Sequence, residues 1–547
     1  MPPGPPARPS PIPAWPRLTR RRPAAPTRHH GGSHERAATP PGQSLRCIFL
    51  LQHGQRFGVA TGHHLATRAA ATQLERGGSL VDAMISASAV LTVVLPHATS
   101  LGGCGMMLIH DAASGRTQAL NGSGIAPAQA TPARYDGAID ARGPRSWITP
   151  GLVRLWAQAY RRHGRLPWSA LLQPAIDLAA DGVPFSSELA RNLHLASPQV
   201  RQQPGFDAAF RIGRADREAG VPWRQAALGA TLDRIAAQGE AGFYQGPVAE
   251  ALCRFASETG GLLLADDLQR ITADWREPIH QGYGRFSASV MPPNSVGPLM
   301  LAQLQRLRDG FDQGRDPRLL AQILQARAIL PALHDRIADP DASWPWQGFG
   351  AGGELPPQRP DDPGDTAGIV LVDREGNGLA MLQSVFQPFG SGCVDPATGV
   401  LMNNRLSEFS LDPARHNCLA PGKRPVHTLN PYLVCHRGRP VLFAVSPGGV
   451  SQTTTGVQCI SNAMIDGMRL PEAIDAPRWS IARDGQIMCE PGFSPFVVQR
   501  LRAAGCSVAT DSLHPFYFGS IKAVRLHPQG VLEAAADLRR EADAVAW

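Results

Sequence analysis

The 547-residue sequence predicts an α+β protein in which antiparallel sheet is covered by helices. Three observations carry this. Helical periodicity, interrupted by a hairpin and a short strand, runs from residue 69 to 338. Strand patterns dominate from residue 366. Between them, residues 339–365 are rich in glycine, proline and aspartate and read as a flexible linker. The chain is 43% apolar and 18% charged, as in ordinary globular proteins, and its 56 glycines and 50 prolines foresee many tight connections. No internal repeat is visible.

The first segment, residues 1–46, is a Pro/Arg-rich tail expected to be disordered. Eight arginines against the single acid Glu35 give it +7 of the net charge of +8. The body that follows is nearly neutral, so it has no electrostatic footprint for nucleic acid. No apolar run follows "RLTRRRPAAP", and "CIFLL" at 47–51 is too short for a signal-peptide core. No stretch reaches the length of a membrane span. The expected location is the cytoplasm, ahead of the periplasm. Nine scattered cysteines without CxxC or metal-like spacing read as buried thiols, and neither a metal nor a cofactor is expected.

The ordered body opens with a helix over Ala69 to Leu74, stopped by Gly77-Gly78, and a very apolar one over Val81 to Leu91. "GMMLIHDAASGRTQALNG" alternates and turns at Ser114-Gly115 as a hairpin. Helical patterns recur at 151–162, 168–180 and 224–256, then at 299–307 and 317–338, where Pro331 predicts a break or kink. Strands are expected in "YGRFSASVMPP" (283–293), at 368–373, 377–385, 431–436, 441–445 and, last, 520–526, with helices at 453–465 and 493–503.

One border carries chemistry. The loop "DDPGD" meets a strand at Thr366. A threonine hydroxyl is a weak nucleophile unless a base activates it, and an N-terminal threonine carries that base in its own α-amine. Such a terminus requires cleavage between Asp365 and Thr366. In "AVSPGGV", Gly448 and Gly449 have no Cβ to block close approach, so their N–H groups could face an oxyanion. Taken alone, an Asp-Thr pair before a strand is usually a loop end, and "PGG" is usually a turn.

Seven segments together resemble one family: "GGSLVDAMISASAVLTVVLPHATSLGGCG" (77–105), "GLLLADDLQRITADWREPI" (261–279), "DTAGIVLVDREGNGLAMLQSVFQPFGSG" (365–392), "GVLMNNRLSEFS" (399–410), "GKRPVHTLNP" (422–431), "SPGG" (446–449) and "EAIDAPRW" (472–479). In order and spacing they are similar to the gamma-glutamyltranspeptidase family of N-terminal nucleophile hydrolases, over residues 58–547. The resemblance implies a four-layer αββα sandwich built jointly by a large chain, 47–365, and a small chain, 366–547. It implies self-cleavage before Thr366, a heterodimer of the two pieces that could pair again, and attack of Thr366 on a small-molecule amide. The acyl-enzyme then passes to water or to an acceptor amine.

Departures from the family pattern qualify the substrate. Ala367-Gly368 follow the nucleophile, Ser384 replaces a positioning threonine, Phe386 an asparagine and Arg405 a glutamine. His427-Thr428 stand for paired serines, and Glu408 for the acid that holds a substrate α-amino group. Ser123 occupies the place of the arginine that clamps the glutamyl carboxylate. Arg405 would supply a relocated charge, so the expected acyl donor is a small carboxylate amide such as oxamate rather than a standard gamma-glutamyl group. The alternatives are a glutathione hydrolase or gamma-glutamyltransferase, and an inactive binding scaffold. The other features carry less: His63-His64 read as solvated or packed, "GFGAGG" (348–353) as linker and Ser391 as a turn residue. Arg424 reads as a structural salt bridge ahead of a substrate contact, Trp479 as an interior or interface anchor, and the "DLRRE" run (537–541) as a solvated C-terminal segment.

Overall fold

The computed structural model describes residues 51–210, 219–307, 314–334, 336–340, 365–482, 485–510 and 518–547. The basic tail, "GFGAGG" and nearly all of the 339–365 linker lie outside the described residues.

Two seven-stranded sheets, antiparallel throughout, form the centre. The first runs from Asp543–Ala546 through Phe57–Thr61, Asp365–Asp373, Gly378–Phe386, Cys104–Asp111 and Arg116–Gly122 to Asp274–Arg276. The second runs from Leu51–Gly54 through Leu532–Ala536, Lys522–Leu526, Arg439–Val445, Tyr432–His436 and Phe286–Val290 to Ile279–Tyr283.

The period-2 alternation of strands decides the layering. Ile369, Leu371, Leu379 and Met381 point to a cluster shared with Leu80–Val94 and its neighbouring helices. Their alternates Val370, Val372, Ala380 and Leu382 meet Leu433, Phe443, Val445 and Val524 of the second sheet. That sheet turns Val434, Leu442 and Ala444 to helices Gly297–Leu307 and Gln452–Ile460. Both faces of both sheets are covered, which is why these strands read as continuous apolar runs. The result is an α+β fold with two large antiparallel sheets, consistent with the αββα sandwich.

Helix Leu80–Val94 starts where Ser79 and Asp82 exchange hydrogen bonds in a capping box, and its residues from Val81 onward are all buried. The expected hairpin forms, Cys104–Asp111 against Arg116–Gly122. The 224–256 pattern is three helices, Ala226–Gln238, Ala241–Tyr244 and Gly246–Thr259; glycines at 239 and 246 adopt positive φ and interrupt it. Pro331 does not break its helix, which runs Arg315–His334. A proline this close to a helix end forfeits one bond, and the last turn absorbs it.

The C-terminal expectation needs correction. Lys522–Leu526 is not the last strand: Leu532–Ala536 and Asp543–Ala546 follow and join different sheets. Nor is "DLRRE" simply solvated. Asp537 is 2% exposed, paired with Arg478 and Arg539, and Arg540 is 9% exposed, paired with Asp365. Its partners lie far away in sequence, and they make burial of these charges tolerable. The eight described cysteines are free thiols, five of them buried. No helix among the described residues is long and apolar enough to cross a membrane.

Candidate active site

Asp365 and Thr366 begin the third strand of the first sheet, and both are buried. Asp365 lies opposite Phe386, whereas Ala367 lies opposite Gln383, so Ser384 and Val385 together face Thr366 alone. This is a β-bulge, which re-aims side chains. Ser384 Oγ donates to the Asp365 carbonyl oxygen at 2.7 Å and accepts from Phe386 N–H at 2.8 Å. Phe386 holds φ at 88°, a left-handed conformation costly for an aromatic residue. A hydroxyl therefore polarises the carbonyl of the Asp365–Thr366 peptide bond.

Thr366 N–H donates to Asp365 Oδ1 at 2.8 Å, and Thr366 Oγ1 lies 3.5 Å from Gln452 Nε2. Gln452 Oε1 in turn accepts from Asn430 N–H at 3.2 Å. The "SPGG" loop packs on the same strand: a Cβ at Gly368 would lie 2.6 Å from Val445 Cγ2 and 3.3 Å from Pro447 Cγ. Gly448 and Gly449 have φ of 155° and 57°, and a Cβ on Gly448 would strike Gly519 Cα at 2.6 Å. Gly449 opens the turn that leads into helix Gln452–Ile460, where backbone N–H groups carry partial positive charge. A hydroxyl nucleophile beside such donors can perform acyl transfer.

A second group surrounds Arg405. Asn403 accepts from Arg405 N–H at 3.0 Å while its amide donates to the Gly102 and Ile148 carbonyls, which anchors the turn. The Arg405 guanidinium, 1% exposed, lies 3.9 Å from the centroid of the Phe386 ring. Its hydrogen bonds to Thr428 Oγ1 are long, 3.4 and 3.5 Å. Burial lowers its pKa to about 10, partly offset by the charge of Glu408, so it stays cationic at neutral pH. Glu408 ends the same 3-10 turn and is half-buried. His427 is fully buried; burial and then the charges of Arg405 and Arg424 push it well below its ordinary value, leaving it neutral. Its Nδ1 accepts from Leu429 N–H at 3.3 Å, and its Nε2 has no hydrogen-bond partner among the described residues.

Ser123 belongs to a neighbouring network. Its hydroxyl contacts Asn294 Nδ2 at 3.2 Å and Arg424 Nη1 at 3.4 Å. Arg424 is neutralised by Asp274 at 2.8 Å, which fits a structural role. Thus Ser384 lies at the Asp365–Thr366 junction, and the loop of Gly448-Gly449 packs on the same strand through Pro447. Arg405, Glu408, Thr428 and Phe386 come together, and Asn294 joins Ser123, through its side chain, to His427, through its backbone carbonyl.

Sequence reasoning missed Gln452, three residues past the "SPGG" motif, where its position was the available signal. It also missed a cluster behind Asp365. Ligand atoms of His97, Glu188 and Asp365 lie within 4.8 Å of one another, spacing that could hold a metal ion. Arg540 already pairs with Asp365 there, and buried Lys522 adds charge, so the positive charge at this cluster comes from the protein. His97 stands inside the quoted "PHATSLGGCG" segment; nothing local marks Glu188 or Arg540.

A profile of the gamma-glutamyltranspeptidase family matches residues 66–547. The chain is 34% identical to an oxamate amidohydrolase proenzyme of Klebsiella pneumoniae, over 89% of this chain and 97% of that protein. It is 29% identical to a glutathione hydrolase proenzyme of Escherichia coli, over 94% and 97%. The crystal structure of a cephalosporin acylase from Bacillus halodurans superposes with a TM-score of 0.83 at 29% identity, covering 93% of this chain and 98% of that one.

Proposed function

Because the chain belongs to the gamma-glutamyltranspeptidase family, and so is an enzyme of amide hydrolysis or acyl transfer, we propose that it is a self-processing amidohydrolase using Thr366 against a small carboxylate amide such as oxamate. The carrying observation is the buried Asp365–Thr366 junction, with Ser384 on its carbonyl and the paired glycines beside its strand. Cleavage frees the Thr366 α-amine, which then serves as base for its own hydroxyl. The hydroxyl attacks the substrate amide carbon, the Gly448 and Gly449 N–H groups receive the oxyanion, and the amine leaves. Water, or an acceptor amine, releases the acyl group. The mature enzyme is a heterodimer of 1–365 and 366–547.

The substrate assignment rests on Arg405. A buried cation with no close hydrogen-bonded carboxylate among the described residues is suited to receive one from a ligand, and a guanidinium can do so bidentately. The position of Ser123 supplies no such charge. The relative named for oxamate supports this reading. The rival reading, hydrolysis of gamma-glutamyl amides, is favoured by Glu408, which keeps an acid where an α-amino group would bind.

The test is direct. Intact mass and N-terminal sequencing of purified protein are expected to show a fragment beginning Thr366-Ala367-Gly368, absent in Thr366→Ala. A wild-type chain that remains whole on long incubation would refute self-processing and favour a scaffold. Oxamate turned over in preference to gamma-glutamyl anilides supports the substrate assignment; the reverse preference would transfer it to the glutathione-hydrolase reading.

A further inference from the structure

The Asp365 side chain is held in place by groups that the amide-opening reaction does not employ. Oδ1 receives Thr366 N–H and a guanidinium nitrogen of Arg540. On the other side, Oδ2 lies 3.5 Å from His97 Nε2 and has no hydrogen-bond partner among the described residues. The same His97 nitrogen lies 3.6 Å from Glu188 Oε1. Glu188 is locked to Glu541 by two reciprocal bonds: each backbone N–H donates to the other's carboxylate, at 3.0 and 2.8 Å. Burial alone would raise the Glu188 carboxyl, but the contact and charge of His97, with Arg540, hold it down at about 2.

Six segments meet here, the strand of Asp365 among them. His97 comes from the turn after helix Leu80–Val94, Glu188 from helix Ser187–Leu195, and Arg540 and Glu541 from the segment before the last strand. Lys522, on the edge of its strand, is buried and bonded to Ser520 Oγ at 2.6 Å; burial and then the Arg540 charge lower it to about 8. His63 reaches Glu541 at 4.0 Å. Evicting so many charges from water is costly, and such a cluster does not arise from packing alone. Its common focus is one carboxylate, adjacent to the peptide bond that would be cut.

We infer that Asp365 is a catalytic residue of self-cleavage, its carboxylate carrying the proton to the departing Thr366 nitrogen, and that His97, Glu188 and Arg540 are positioning residues serving this step. The inference rests on the self-processing reading given above. Thr366 Oγ attacks the Asp365 carbonyl carbon while Ser384 Oγ donates to its oxygen. The Oγ proton passes through the Asp365 carboxylate to the nitrogen, and the C–N bond breaks. The products are an ester between the Asp365 carbonyl and Thr366 Oγ, and a free Thr366 α-amine; the side-chain carboxylate is regenerated. Water then splits the ester into the Asp365 C-terminal carboxylate and the Thr366 hydroxyl. The Thr366 N–H, donating to Oδ1 at 2.8 Å, keeps the carboxylate beside the scissile nitrogen, whose lone pair takes the proton as the nitrogen pyramidalises and the C–N bond breaks.

The full-length chain allows a clean test. Asp365→Asn, Asp365→Glu, His97→Gln and Arg540→Lys are purified, checked for wild-type folding by circular dichroism, and followed on denaturing gels from pH 5 to 9. Asp365→Asn is expected to slow cleavage by about 100-fold or more, the scale of a lost proton-transfer group. Asp365→Glu, which keeps a carboxylate, recovers about tenfold of that loss. His97→Gln and Arg540→Lys slow cleavage by about tenfold or more through misplacement, and shift its pH profile. In both, the loss in cleavage rate exceeds any loss in turnover per processed molecule. Wild-type cleavage by Asp365→Asn, or equal losses of cleavage and turnover in the positioning variants, would overturn the inference while leaving Thr366 as nucleophile. A wild-type chain that never splits would remove the self-processing reading beneath it.

Discussion

At residue 405 a guanidinium sits out of water against the face of Phe386, with Thr428 as a distant hydrogen-bond partner. Cation–π contact offsets part of its desolvation, and a bound carboxylate would offset more. Charged hydrogen bonds contribute about 1.5–3 kcal/mol each, so Arg405→Gln is expected to lower kcat/KM for oxamate roughly 10- to 150-fold. Steady-state kinetics check this, and an unchanged value would place the carboxylate elsewhere. Phe386 is the counterpart of Asp365 on the adjacent strand, so one strained residue links the proposed cleavage junction to the proposed carboxylate site. The resemblance had placed Arg405, Phe386 and Thr428 as candidates. Their stacking was not legible, because it depends on a bulge that no local pattern announces.

At the scale of elements, the strand Asp365–Asp373 is constrained on every side. Phe57–Thr61 and Gly378–Phe386 flank it, helix Leu80–Val94 packs on one face and the second sheet on the other. The absence of a side chain at Gly368 lets the "SPGG" loop approach within van der Waals contact. Gly368→Ala would force Val445 or the strand to shift, an overpacking cost of about 1–3 kcal/mol. The expected outcome is a lower thermal midpoint together with slower self-cleavage, read by calorimetry and by gel. An unchanged midpoint would show that the loop is free to yield.

On the scale of the whole molecule, the proposed pieces are interleaved rather than juxtaposed. In the first sheet, strands 365–373 and 378–386 lie between 57–61 and 104–111; in the second, 522–536 and 432–445 lie between 51–54 and 286–290. Separating them would break backbone ladders in both sheets and expose apolar faces. The 1–365 and 366–547 fragments are therefore expected to co-elute on size-exclusion chromatography and to part only in denaturant; separation in native buffer would contradict this. Apolar periodicity by itself determined most helices and strands, since burial on one or both faces is written in the local pattern. Motif order determined the family, and chemistry pointed to Thr366. What the tertiary structure alone decided was the company each charge keeps. Asp365 with His97, Glu188 and Arg540, and Asp537 with Arg478, are partners distant in sequence. A charged run reads as surface until the fold brings an opposite charge to it, and only then can it be buried.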